Sequence, residues 1–157
     1  MKLYLAGGVF NAGEQLHNLY LEKYLRTLGY EVILPQREAL RFFDGQQFDL
    51  VGIAKSCRDY CHDPNNLYVG STDGADADSG TCVEYGLAIT ARGQAVVYRT
   101  DFRTASEGAG EKFGVNIMLN IPGTAFVYHP CSLTELDEAE AYYKNLAEKI
   151  HQAIQSL

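Results

Sequence analysis

The sequence predicts an α/β domain built on a five-stranded parallel sheet, flavodoxin-like in its strand order 2-1-3-4-5. Three observations carry this. Short apolar runs alternate with stretches of helical period along the whole chain, the breaks between them are rich in Gly, Asp, Asn and Pro, and no repeat or low-complexity tract interrupts the alternation. The 157 residues suit one domain with a sizeable core, so residues 1–157 are expected to form a single unit.

The elements follow in order. Lys2 to Ala6 reads as the first strand, closed by Gly7-Gly8. A helix runs from about Glu14 to Leu28, with Leu16, Leu19, Tyr20 and Tyr24 on one stripe, Leu21, Leu25 and Leu28 widening it, and Gly29 at the C′ position. Glu31 to Leu34 is the second strand, ended by Pro35. A less regular segment precedes a second helix, Phe48 to Cys61, with Phe48, Val51, Ile53, Ala54 and Cys57 as its apolar residues; Asp63-Pro64-Asn65-Asn66 stops it. Leu67 to Gly70 is the third strand, Thr81 to Ala91 a helix, Ala95 to Arg99 the fourth strand and Ala125 to Tyr128 the fifth. Leu133 to Ile154 closes the chain as an amphipathic helix, with Ser132 as its N-cap. In the 2-1-3-4-5 order the winding reverses between strands 1 and 3, so the loops after Ala6 and Gly70 face one crevice.

Charge narrows the partners. With 13 basic and 20 acidic residues the formal charge is −7, and no Lys/Arg cluster interrupts it, so nucleic acid and anionic membranes are poor partners. The N-terminus lacks a signal-peptide pattern and no stretch approaches a membrane span, which points to the cytoplasm. Cys57, Cys61, Cys82 and Cys131 read as reduced thiols. A zinc site from Cys57, Cys61 and His62 lacks the second ligand pair it would need, so no metal is expected. His17, His62, His129 and His151 are scattered and assigned to the surface.

The chemistry concentrates between Asp73 and Gly86, DGADADSGTCVEYG, where a strand gives way to a helix. Free N–H groups and a positive helix end meet acids there. Glu84 lies three residues after Thr81. That spacing fits a capping box in which Glu84 reaches back to the Thr81 N–H, and it equally fits a carboxylate ionised and fixed in the first helical turn. Asp76 and Asp78 crowd it, and carboxyls with divergent pKa values are what glycosyl transfer uses. Asp73 and Asp76 read as solvated turn formers. Gly7 and Gly8 suggest a ligand-side turn but complete neither a dinucleotide nor a P-loop pattern. Phe10 offers a face to a planar base or packs in the core. Tyr4, near the end of its strand, is placed to bring its hydroxyl toward Glu84. No serine-hydrolase signature occurs.

With these residues in view, YLAGGVFN, DADSGTCVEYGLA and Asn116-Ile117-Met118 resemble the nucleoside 2-deoxyribosyltransferase family. The string D-S-G-T-x-x-E-x-G-x-A is matched by Asp78, Ser79, Gly80, Thr81, Glu84, Gly86 and Ala88. The resemblance implies Glu84 as nucleophile, Asp78 as a substrate contact, Tyr4 as the residue orienting the nucleophile, Phe10 as the aromatic on the base, with Gly7 beside it, and Asp59 as a second aspartate. It implies that Asn116 and Met118 complete the pocket of a neighbouring subunit in an obligate homo-oligomer. The implied substrates are 2′-deoxynucleosides and free nucleobases, without a cofactor. The implied reaction is double displacement through a covalent glutamyl intermediate, with Asp78 or Asp59 protonating the departing base and the loop from Asp101 to Val115 as a lid. Where relatives have Gly-Pro this chain has Gly7-Gly8, and it ends Gln155-Ser156-Leu157 rather than in a pocket tyrosine. Two rivals remain: a nucleoside or nucleotide N-glycosidase on the same fold, and a receiver-like binding module, which would want paired acids after the first strand where Gly7-Gly8 stands.

Overall fold

The computed structural model describes residues 1–103 and 115–157. The expected lid segment lies mostly in residues 104–114, outside the described residues. The elements are β1 (Lys2–Ala6), α1 (Ala12–Thr27), β2 (Glu31–Ile33), α2 (Pro35–Glu38), a 3-10 turn (Ala39–Phe42), α3 (Leu50–His62), β3 (Asn66–Ser71), α4 (Ser79–Arg92), β4 (Ala95–Arg99), a second 3-10 turn (Ile117–Leu119), β5 (Thr124–Tyr128) and α5 (Glu138–Gln155). All five strands are parallel, in the order β2-β1-β3-β4-β5. The predicted sheet is found.

Strand alternation decides which side chain meets which helix. On β1, Leu3 and Leu5 turn to one face, where they pack with Val32, Leu67, Val69 and Val96 against Leu21 and Leu25 of α1 and Leu146 and Ile150 of α5. Tyr4 and Ala6 turn to the other, joining Tyr68, Ala95 and Val97 against Cys61 of α3 and Tyr85 and Ala88 of α4. In-register pairing of Leu3–Leu67 and Tyr4–Tyr68 keeps the two faces separate across the central strands. This alternation aims Tyr4 at α4.

Helix ends depart from expectation where local bonds compete. α1 starts at Ala12, capped by Asn11, whose Oδ1 accepts from the Glu14 N–H at 3.1 Å. Glu14 in turn accepts from the Phe10 N–H at 2.7 Å, so the reciprocal cap is here. Gly29 has φ +88 as a C′ residue should, but Leu16 and Leu19 are exposed; the buried stripe is Asn18, Leu21, Glu22 and Leu25. Buried Glu22 is held by Arg37 at 2.5 and 2.7 Å, which pins α2 onto α1. Asp49 caps α3, and Val51 faces solvent rather than the core. α5 begins at Glu138, five residues later than expected, and Asp137, not Ser132, holds the N-cap position. Its Glu138 carboxylate accepts from the Thr134 and Glu135 N–H groups, which holds the preceding segment in a turn and off the helix.

Candidate active site

At the carboxyl end of the sheet, Tyr4 Oη donates to Glu84 Oε1 at 2.6 Å. Tyr4 is buried and Glu84 half-buried. Burial is the main force on both. It raises the Glu84 pKa above the usual carboxylate range, helped by nearby Asp78, while the donors Tyr4 and Cys57 pull it back. The Tyr4 hydroxyl is raised far above its ordinary value by burial and then by the Glu84 charge, so it keeps its proton and donates.

The helix carrying Glu84 starts at Ser79, with Asp78 as N-cap. Asp78 Oδ2 accepts from the Thr81 N–H at 2.9 Å and the Thr81 hydroxyl at 3.2 Å. Thr81 is therefore not the cap, and Glu84 lies in the second turn, bonded to Tyr4 rather than to the Thr81 N–H. Two strong N-cap residues three apart compete for one helix start, and the earlier won. The Thr81 carbonyl accepts from the buried Tyr68 hydroxyl at 3.0 Å, anchoring this turn to β3.

Asp73 is not a solvated turn former. Its carboxylate accepts from the Thr100 N–H at 2.5 Å, the Thr100 hydroxyl at 2.6 Å and the Asp101 N–H at 2.7 Å, and so clamps the exits of β3 and β4 together. Asp76 is exposed, in keeping with its expected turn role. His17, expected at the surface, bonds the hydroxyls of Tyr143 at 3.1 Å and Tyr98 at 3.0 Å. Burial lowers its pKa, with Asp73 opposing, which favours the neutral ring. Its spacing from Leu21 and Leu25, four and eight residues on, was the signal that could have placed it on the buried face.

A cavity of about 250 Å³ lies at the crevice between the β1 and β3 loops, lined by Gly8, Phe10, Glu14, His17, Asp73 and Asp78 among others. Phe10 is 77 % exposed at its mouth, not packed in the core. Gly8 rather than Gly7 lines the cavity; Gly7 abuts Ser71 at the strand exit. Glu84 is not in this wall. A larger cavity of about 530 Å³, on the other side of the α4 start, is lined by Asn116 and Met118 with Asp76, Tyr85 and Arg99. The Asn116 side chain accepts from the Met118 N–H at 2.9 Å, and Met118 and Ile117 are largely exposed. Asp59 joins neither cavity; it is exposed on α3 and paired with Arg58 at 3.1 Å. Among the described residues no group of three or more His, Cys, Asp or Glu is arranged to hold a metal ion.

The sequence profile described as nucleoside 2-deoxyribosyltransferase matches residues 3–118, about three quarters of the chain, from Leu3 in β1 to Met118. The chain belongs to the nucleoside 2-deoxyribosyltransferase family. Family members are pentosyltransferases, and deoxyribosyl transfer is the activity this membership supports. Two solved structures share the deoxyribosyltransferase chain's fold. A conserved protein from Enterococcus faecalis aligns with TM-score 0.66 at 23% identity, over 97% of this chain and 98% of that one. A 2-deoxyribosyltransferase from Bacillus psychrosaccharolyticus aligns with TM-score 0.59 at 20% identity, over 94% and 96%. No curated protein matches the sequence significantly. Within the described residues of this family member, no helix is long and apolar enough to cross a membrane.

Proposed function

We propose that the chain transfers a 2-deoxyribosyl group between nucleobases by double displacement, with Glu84 as the nucleophile. The observation that carries this is the 2.6 Å bond from Tyr4, whose hydroxyl burial pushes well above its ordinary pKa, to a half-buried Glu84 at the carboxyl end of the sheet. A carboxylate oxygen attacks C1′ as the bond from C1′ to the base nitrogen breaks, and the electron pair leaves on the base, which takes a proton from an acid. The incoming base then attacks C1′ from the opposite face, expels the carboxylate and loses its own proton to the acid.

Asp78 is the acid we assign to this step. It lines the cavity with Phe10 and caps the helix that carries Glu84. Asp59, solvent-facing and paired with Arg58, is the poorer choice. The cavity wall carries three carboxylates and, among the described residues, no Lys or Arg, which supports a nucleoside over a 5′-phosphorylated substrate. The exposure of Ile117 and Met118 supports a homo-oligomer in which Asn116 and Met118 serve a neighbouring subunit's pocket.

The test is incubation with a 2′-deoxy-2′-fluoro nucleoside followed by intact-mass and peptide analysis. An adduct on Glu84, absent in Glu84→Ala, is the expected result; an adduct elsewhere ends the assignment. In parallel, base release from deoxyinosine is followed with and without adenine. New nucleoside supports transfer, and release of base alone marks an N-glycosidase.

A further inference from the structure

We propose that the Cys57 thiol is a second positioning donor for the Glu84 carboxylate, so that the nucleophile is held from two sides, by a hydroxyl from β1 and a thiol from α3. This rests on the reading of Glu84 as the nucleophile. The phase of α3 places the thiol there. Ile53 and Cys57 are four residues apart on one stripe, and both line a narrow space of about 10 Å³ shared with Tyr4 and Tyr60. Cys61, one turn further, is buried in the core beneath Tyr4. Asp59, two residues past Cys57, is rotated about 200° around the helix and faces solvent. The position on α3 that reaches the nucleophile is therefore filled by a neutral thiol and not by the acid.

Cys57 shares the wall of that space with Tyr4, whose hydroxyl meets Glu84 at 2.6 Å, and it lies close enough to the carboxylate for the two groups to shift each other's pKa. Burial is the first cause that raises its pKa, and the Glu84 charge adds to it, so the sulfur stays protonated. A protonated thiol has one proton to give, and beside a carboxylate it gives it there. This favours the neutral thiol over the thiolate and leaves Cys57 the part of a donor. An S–H group is weak in water but gains in a site this enclosed, where the space beside it is at the lower limit for admitting one water that could replace it. A neutral donor favours the ionised nucleophile without cancelling its charge.

The experiment compares the wild-type chain with Cys57→Ser, which keeps a donor, and Cys57→Val, which fills the space without one. The Glu84 carboxyl is titrated by carbon NMR in glutamate-labelled protein, its signal assigned by Glu84→Gln, and the acid limb of kcat/KM for base exchange is measured on the same samples. In Cys57→Val the Glu84 midpoint and the acid limb both move up by about half to one pH unit, so transfer below the limb falls about three- to tenfold and recovers at higher pH. Cys57→Ser restores both. A midpoint unmoved in Cys57→Val, or moved equally in Cys57→Ser, overturns the proposal. Should Cys57→Val fail to fold, the native S–H infrared band decides: it shifts as Glu84 is protonated, and a band insensitive to that titration overturns the proposal. A wild-type chain that transfers no deoxyribosyl group while the titrations behave as expected sinks the nucleophile reading and leaves the thiol contact standing.

Discussion

The phenolic hydroxyl of Tyr4 donates to Oε1 of Glu84 at 2.6 Å and joins the first strand to α4 across 80 residues of chain. The bond does two things at once: it satisfies a hydroxyl that would otherwise be buried unpaired, and it favours the charged form of a carboxylate that burial alone would leave protonated to higher pH. Removing it tests both. Tyr4→Phe is expected to lower kcat/KM for base exchange by about tenfold to a hundredfold, the range for a hydrogen bond to a charged group. The acid limb should also move to higher pH, because Glu84 loses its main opposing donor. An unchanged pH profile would show that Tyr4 serves packing alone.

Glu84 costs the fold stability. Its pKa is raised in the folded state, so between the ordinary glutamate value and the raised one the native chain holds the proton more tightly than the unfolded chain does. Stability from this group falls as pH rises through that window and stays lower above it. Glu84→Gln keeps the acceptor for Tyr4 and removes the charge. Its Tm should exceed the wild-type Tm at neutral pH, and the difference should close as the buffer is taken below the ordinary glutamate pKa. Thermal melts at several pH values read this directly, and a gap that widens toward acid would contradict it.

Gly8 makes room for the α1 cap. A Cβ there would stand 2.6 Å from Glu14 Cδ and 2.8 Å from both its oxygens, in the space from which Glu14 accepts from the Phe10 N–H. Gly8→Ala should cost about 1 kcal/mol, the value of one cap, lowering Tm by about 2–4 °C. In a Glu14→Ala background the same substitution should be close to neutral. A double-mutant cycle without coupling would place the cost elsewhere.

Gly70 on β3 lies under the phenol of Tyr68, which a Cβ would strike at the ring and the hydroxyl. That ring is fully buried and bonded to the Thr81 carbonyl, so it has nowhere to turn. Gly70→Ala should destabilise by about 1–3 kcal/mol in urea unfolding. It should also reduce transfer more than its stability loss explains, because Thr81 lies in the first turn of the helix that carries Glu84. Pairing it with Tyr68→Phe should recover part of the stability and little of the activity.

The sequence by itself determined the sheet, its strand order and the place of the chemistry. Period-2 apolar runs between helical stretches admit few arrangements, and the order 2-1-3-4-5 brings the loops after Ala6 and Gly70 together whatever the side chains are. It also brought out Tyr4, Asp78 and Glu84, because the acidic junction after β3 is a local pattern. Tertiary structure decided what local pattern left degenerate. Asp78 and Thr81 are both good caps, and the anchoring of Thr81 by Tyr68 and of Glu84 by Tyr4 goes with the earlier start. Asp73 looks like any turn acid until β4 supplies the Thr100 and Asp101 N–H groups. On α3 the sequence offers an aspartate and a cysteine two residues apart, and only the packing of that helix sets Cys57 beside Tyr4 while Asp59 faces solvent. Propensity and periodicity are properties of neighbours along the chain; the partners that fix a buried polar group are neighbours only in space.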